Sequence, residues 1–302
     1  MSRRAFPQLA VISAAVLWSL DGLLRQMLYN VPAFLIISIE HVIGALIFIP
    51  FLIKGWKEIL KLGQRAWISV LWISICGGIL GTFFYTSALS YVSYINLSVV
   101  VLLQKLQPLF AITLAAVILK EPLSKKFLAL AVSAIFGSFL VTFGLQPIAD
   151  WNDKMIIAAL LALLAAFSWG SSTVLGKHAL KRLSFTTLTS LRLTITGVIT
   201  LFALFSTGQY EAVYGMTLSH WKFLLLIVLS TGSLALFIYY YGLNHLPASH
   251  VTLYELFWPL SAVAMDWFIR GNIMSPFQAI GAVLLLGAII LLSRENHFSQ
   301  AQ

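Results

Sequence analysis

The sequence predicts an all-α polytopic membrane protein, with ten transmembrane helices arranged as two inverted five-helix repeats. Three observations lead there. The 302 residues are 60% hydrophobic and only 10% charged, whereas a soluble chain averages ~25% charged residues. Apolar runs close to twenty residues, long enough to cross a bilayer, recur from end to end. The two halves also align on each other at an offset near 151. Ala14-Ala15-Val16-Leu17-Trp18 meets Ala165-Ala166-Phe167-Ser168-Trp169, and Pro108-Leu109 meets Pro259-Leu260; in between, Tyr85 meets Tyr239 at an offset of 154. Five spans per copy is an odd number, so the second copy must enter the membrane from the opposite side.

The spans read as 6–28, 33–53, 66–91, 94–119, 125–144, 155–178, 185–206, 221–245, 248–269 and 276–293, giving repeats at 6–144 and 155–293. The longest connection, near 207–220, is too short for a soluble domain. The first run reaches spanning length and no small-residue cleavage site follows it, so no cleavable signal peptide is expected. The net charge of +9 is unevenly spread. Thirteen cations, among them Arg3, Lys57, Lys120, Lys181 and Arg294, fall on the N-terminal side, and three, Lys154, Lys222 and Arg270, on the other. By the positive-inside rule both termini are cytoplasmic, in the cell membrane. This distribution argues against a nucleic-acid partner; the expected partners are the lipid bilayer and a small-molecule substrate, and the sequence allows a homodimer. The lone Cys76 lies inside a span, so no intrachain disulfide framework can form.

Span 1 carries Trp18, Asp21 and Arg25 on one helical face. Asp21 near mid-span reads either as a site carboxylate beside an aromatic wall or as a local partner of Arg25. Span 2 holds Glu40-His41, whose side chains point about 100° apart on a helix. Either could couple transport to an ion, and a structural hydrogen-bonding role is open for both. Span 3 has Gly77-Gly78 and Gly81, a pattern for close helix packing, then Tyr85 on the same face. Span 4 holds Gln104-Lys105-Leu106-Gln107-Pro108. An ammonium at bilayer depth costs about 2.5–3.5 kcal/mol on insertion scales, so Lys105 is expected to face the interior within reach of Asp21 or Glu255. Pro108 disrupts the hydrogen bond to the Gln104 carbonyl. Span 5 is uncharged scaffold.

In the second copy, span 6 brings Trp169 with Ser172 in the place of Asp21, and span 7 brings Arg192 opposite His41. Span 8 has Tyr239-Tyr240-Tyr241, of which one or two can face a common site. Span 9 reads Thr252 to Pro259, with Glu255 in the place of Gln104 and Trp258 on its face. Asp266 can pair with Arg270, and span 10 is apolar. No phosphate loop, metal-ligand spacing or nucleophile elbow occurs, so no enzyme activity, cofactor or metal is expected.

Two inverted repeats with polar groups near the midplane point to a secondary transporter. The Trp18 and Trp169 regions, the hairpin turn at Tyr91–Tyr94, Pro108 followed by Leu119-Lys120-Glu121-Pro122-Leu123, and Glu255 to Pro259 resemble a ten-span EamA-type transporter of the drug/metabolite transporter superfamily. The resemblance covers about 8–293. It implies two inverted five-helix bundles around a cavity lined chiefly by spans 1, 3, 4, 6, 8 and 9, and alternating access that often exports amino acids or other metabolites. Two positions depart from the pattern. Asn272 replaces the second terminal glutamate, and His41 stands where the family favours an arginine. The expected substrate is an amino acid or related small polar metabolite, held by Trp18, Asp21, Tyr85, Lys105, Trp169, Tyr239, Glu255 and Trp258. Asp21, Glu40, His41 and Glu255 are the ion-coupling candidates. An organic cation or drug is the rival substrate, and a non-transporting scaffold or receptor the rival class.

Overall fold

A computed structural model describes residues 6–28, 30–90, 104, 106–143, 153–270 and 275–299. Lys105 lies outside them, as do the side chains of Asp266 and Arg270. No strand occurs among the described residues, and helices account for nearly all of them. The protein is an all-α polytopic membrane protein of ten spans. Bulky apolar side chains ring the outside: Val117, Phe202 and Val283 are 71%, 75% and 71% exposed. In water such a belt would be an aggregation surface; in a bilayer it faces acyl chains.

Span 1 is the helix Phe6–Gln26, and span 2 is Ala33–Lys54. A short helix Trp56–Leu60 runs into span 3, which begins at Gln64. The connection after span 7 (Phe185–Ser206) contains a 3-10 turn, Gln209–Gly215, and span 8 starts at Leu218. Span 6 (Asp153–Ala179), span 5 (Lys125–Phe143) and span 10 (Pro276–Ser299) are continuous.

Spans 4 and 9 are broken before their prolines. Span 4 turns at Leu106 and restarts as Gln107–Leu114. Span 9 runs Ala248–Tyr254, turns at Glu255-Leu256 and restarts at Phe257. A proline cannot donate to the carbonyl one turn back, and its ring crowds that carbonyl, so each helix yields at the preceding turn. The breaks bring polar side chains to the bundle interior at pseudo-equivalent places.

Spans 3 and 8 each widen into π-helix, at Ile73–Leu80 and Val228–Gly232. The two stretches coincide under the repeat offset and contain Gly77-Gly78 and Gly232. A β-carbon on Gly77 would lie 2.8 Å from Ser172 Oγ, so the glycine is what lets span 6 approach. Spans 5 and 10 meet the same way, with Gly137 and Gly281 backbone to backbone. Small residues are the standard means of close helix approach in lipid, where the hydrophobic effect supplies no drive between helices.

Candidate functional site

The break in span 9 sets Glu255 at the meeting point of four spans. Tyr239 of span 8 donates its hydroxyl to Glu255 Oε1 at 2.8 Å. Gln107 of span 4 donates Nε2 to Oε2 at 2.7 Å. Thr173 of span 6 lies 2.8 Å from the Tyr239 hydroxyl, and Gln104 Nε2 reaches Gln107 Oε1 at 3.4 Å. A carboxylate at this depth is costly unless its oxygens are satisfied. Here both oxygens accept hydrogen bonds, one from each repeat. Tyr239 and Thr173 are each 4% exposed, while Glu255 and Gln107 keep part of their surface open.

Around this node the aromatic rings pair reciprocally between repeats. Trp18 of span 1 packs on Tyr239 with centroids 5.2 Å apart and planes at 53°. Tyr85 of span 3 packs on Trp169 at 5.6 Å and 56°. Each tryptophan thus meets the tyrosine of the other copy in the same tilted geometry, and such a pair adds about 0.5–1.5 kcal/mol beyond area burial. Trp169 lies one turn before Thr173 and against Gly81, whose lack of a β-carbon leaves room for the indole. Trp18, Tyr85 and Trp169 are only half-buried, so aromatic surface remains for a ligand.

A second cluster centres on Arg25. Its Nε donates to Asp21 Oδ2, and its Nη2 donates to Glu40 Oε2 at 2.8 Å. Thr231, in the π-turn of span 8, donates to Asp21 Oδ1 at 2.6 Å. Asp21 therefore has the local partner its spacing allows and one interhelical contact besides, from Thr231. His41 turns away from Glu40, and its Nδ1 lies 2.9 Å from the Ile37 carbonyl. Arg192 donates Nη1 to the Tyr240 hydroxyl at 2.8 Å, its guanidinium 5.7 Å from that ring's centre.

Of the residues expected at a site, Trp18, Tyr239 and Glu255 come together in one contact chain, and Tyr85 joins Trp169. Asp21 and Glu40 share the other cluster, one helical turn along span 1 from Trp18. Trp258 is half-buried in the first turn after the break, its backbone N–H donating to the Glu255 carbonyl. Gln107 and Thr173 were not among the expected ligands. Thr173 follows Trp169 by four residues, and Gln107 follows Gln104 by three, so helical spacing marks both. Nothing in the spacing marks Thr231, which reaches Asp21 across 210 positions.

The Lys120-Glu121-Pro122 motif also gains a physical meaning. Span 4 ends in a π-turn, Ala115–Leu119, with Lys120 in the left-handed region at φ 57°, and the Glu121 N–H closes back on the Ala115 carbonyl at 3.2 Å, a left-handed cap one residue wider than the Schellman motif. Pro122 then prevents continuation. Glu121 is left to accept the Ala248 and Ser249 N–H groups at 2.7 and 3.0 Å and the Ser249 hydroxyl at 2.6 Å, capping span 9. From the other side Lys177 donates to the Leu243 and Asn244 carbonyls at the end of span 8, each at 2.9 Å. The tight hairpin between spans 8 and 9 is thus held by an anion at one helix start and a cation at the other helix end. Among the described residues no group of His, Cys, Asp and Glu is placed to hold a metal ion.

The sequence profile of the EamA-like transporter family matches residues 5–143 and 156–294. The riboflavin transporter ImpX of Fusobacterium nucleatum subsp. nucleatum is 37% identical over 291 residues, covering 95% of this chain and 97% of that protein. The uncharacterized transporter YoaV of Bacillus subtilis is 23% identical over 286 residues, covering 94% and 93%. A solved crystal structure at 18% identity superposes with a TM-score of 0.73 over 96% of this chain and 98% of its own, a likeness of fold.

Proposed function

The chain belongs to the EamA-like transporter family, and from that premise we propose that it carries riboflavin across the cytoplasmic membrane by alternating access, binding it at the Glu255 node. The carrying observation is the 37% identity, over nearly the full length of both chains, to a protein named as a riboflavin transporter. The chemistry of the node supports the same substrate. Riboflavin is a flat aromatic ring system with a neutral imide edge and a polyhydroxyl tail. The half-buried faces of Trp18, Tyr85 and Trp169 suit the ring. Glu255 can accept the imide N–H, and the Gln107 amide can satisfy a neighbouring carbonyl. Tyr239 and Thr173 hold the carboxylate in place for that contact. Sites that hydrogen-bond a substrate's polar edge discriminate strongly, because an analogue lacking the edge leaves buried groups unpaired.

An amino acid would use the same residues differently, with Glu255 facing its ammonium. The two substrates separate in one experiment. Purified protein in proteoliposomes should take up labelled riboflavin saturably, with excess amino acids failing to compete. Amino acid uptake without riboflavin uptake would overturn the reading. The cation distribution supports a cytoplasmic orientation of both termini, and the family resemblance favours export; an oriented reconstitution reads the direction in the same assay.

A further inference from the structure

We propose that the Arg25 cluster is a proton-coupling site, with Glu40 as the group that carries the proton and Arg25 as its competitor. This rests on the transport reading but not on which substrate is moved. The cluster sets two carboxylates against one directly bonded guanidinium, inside the membrane where a charge is costly unless it is paired. The fold does not require it. At the repeat offset the second copy has Ser172, Gly176 and Leu191 in place of Asp21, Arg25 and Glu40, and builds its five spans without a carboxylate there, its charge at that place being Arg192 near Ser172.

The geometry favours a proton over a metal cation. Asp21 Oδ2 and Glu40 Oε2 accept from Arg25, and Asp21 Oδ1 accepts from Thr231. Of these four carboxylate oxygens, Glu40 Oε1 alone has no hydrogen-bond partner among the described residues. It lies against Gly232, where an added β-carbon would come within 2.7 Å. A hard metal cation needs about six oxygens; a proton needs one. Around Glu40 the charged and titratable groups are Asp21 and Arg25 of span 1 and His41 beside it on span 2, with Arg192 of span 7 acting on the imidazole. Span 8 presents Thr231 and Gly232, neither of which titrates.

The cluster ties span 1 to span 2 and to the π-turn of span 8. That π-turn lies two helical turns before Tyr239, which holds Glu255. When spans 1 and 2 separate, Arg25 leaves Glu40, and the buried carboxylate takes a proton from water to form an O–H bond. When the spans close again, Arg25 returns and the proton leaves to water on the side then open. One proton is exchanged per cycle, and no other species is consumed. The remaining bond from Arg25 to Asp21 stays within span 1, so the guanidinium keeps a partner throughout.

The test has two arms. In proteoliposomes, an imposed pH gradient should accelerate net riboflavin uptake several-fold in the wild type. In Glu40→Gln the gradient should have no effect, while substrate counterflow, which needs no net proton movement, continues and shows the variant is folded. If riboflavin is carried but the wild type ignores a pH gradient, or if Glu40→Gln still responds to it, the inference is overturned. The second arm needs no substrate. Difference infrared spectra on mild acidification should show a protonated carboxyl stretch in the wild type that Glu40→Gln removes and Glu40→Asp restores. Absence of that band, or its persistence in Glu40→Gln, overturns the inference whatever the substrate is. Failure of riboflavin uptake alone would strike only the substrate reading.

Discussion

The two repeats share their apolar and aromatic framework and differ in where they put charge. Both break a span before a proline, both widen the third span of the copy into π-helix, and both aim a tryptophan at the other copy's tyrosine. The first copy alone places Asp21, Arg25 and Glu40 in spans 1 and 2, while the second alone turns the broken-helix glutamine into a glutamate, Glu255. On the proposed alternating access, the shared features are those a two-fold frame needs, because each copy would do in one state what the other does in the next. The differing ones are those we propose bind substrate and proton, neither of which has a two-fold axis. On that proposal, symmetry in this molecule marks movement and its violations mark chemistry.

Arg25 gives the largest test of that contrast. Arg25→Ala leaves the buried Glu40 and the partly exposed Asp21 without their cation; breaking a buried pair costs about 3–5 kcal/mol, so the thermal midpoint should fall sharply. Installing the second copy's neutral residues beside it, as Asp21→Ser with Arg25→Ala and Glu40→Leu, should recover most of that stability. Equal destabilisation of the single and triple variants would mean that the charges hold the fold together.

Tyr239→Phe removes the hydroxyl bonded to Glu255 and Thr173, at about 1–3 kcal/mol for leaving buried partners unsatisfied, so substrate affinity should fall about tenfold or more. Tyr85→Phe, the same change in the ring pair with Trp169 away from Glu255, should move affinity much less. Binding titrations of the two variants compare the halves directly, and equal losses would dissolve the distinction. Gly81→Ala presses a methyl group onto the Trp169 indole, and overpacking of this kind costs about 1–3 kcal/mol. Transport should drop while the protein stays folded. The matching position in span 8 is Ala235, where the fold already carries a methyl group, and Ala235→Gly should leave transport nearly unchanged.

The smallest effect concerns Lys120. A lysine at φ 57° sits where L-residues are disfavoured by about 1–2 kcal/mol, and its repeat counterpart is Gly271. Lys120→Gly should raise stability by up to about 1 kcal/mol, part of the relief being offset by the extra freedom of glycine in the unfolded chain. A fall in the thermal midpoint would mean that the lysine side chain contributes there.

The spans, the duplication, the proline breaks and the ring residues were legible in the sequence because each repeats at a fixed offset or has helical spacing. The divergence of Glu40 and His41 followed from 100° per residue. Other features were not legible, for a common reason. The meeting of Arg25 with Glu40 depends on how spans 1 and 2 lean together, and that of Asp21 with Thr231 on where span 8 widens. Side-chain periodicity says which face a residue is on, not which neighbour that face meets. The π-turns themselves leave no periodic mark beyond the glycines they use. Lys105, the costliest charge by sequence, falls outside the described residues, and its expected approach to Asp21 or Glu255 stands as a proposal.

The central claim is that the Glu255 node and its ring walls hold a flat aromatic substrate. Flavin emission is quenched when the ring stacks on tryptophan or tyrosine, so titrating purified protein into riboflavin reads the contact directly. Wild type should quench saturably, Trp18→Ala should lose most of the quench, and Tyr239→Phe should shift the curve about tenfold to weaker binding. No saturable quench by the wild type, or identical curves for all three proteins, would contradict the account.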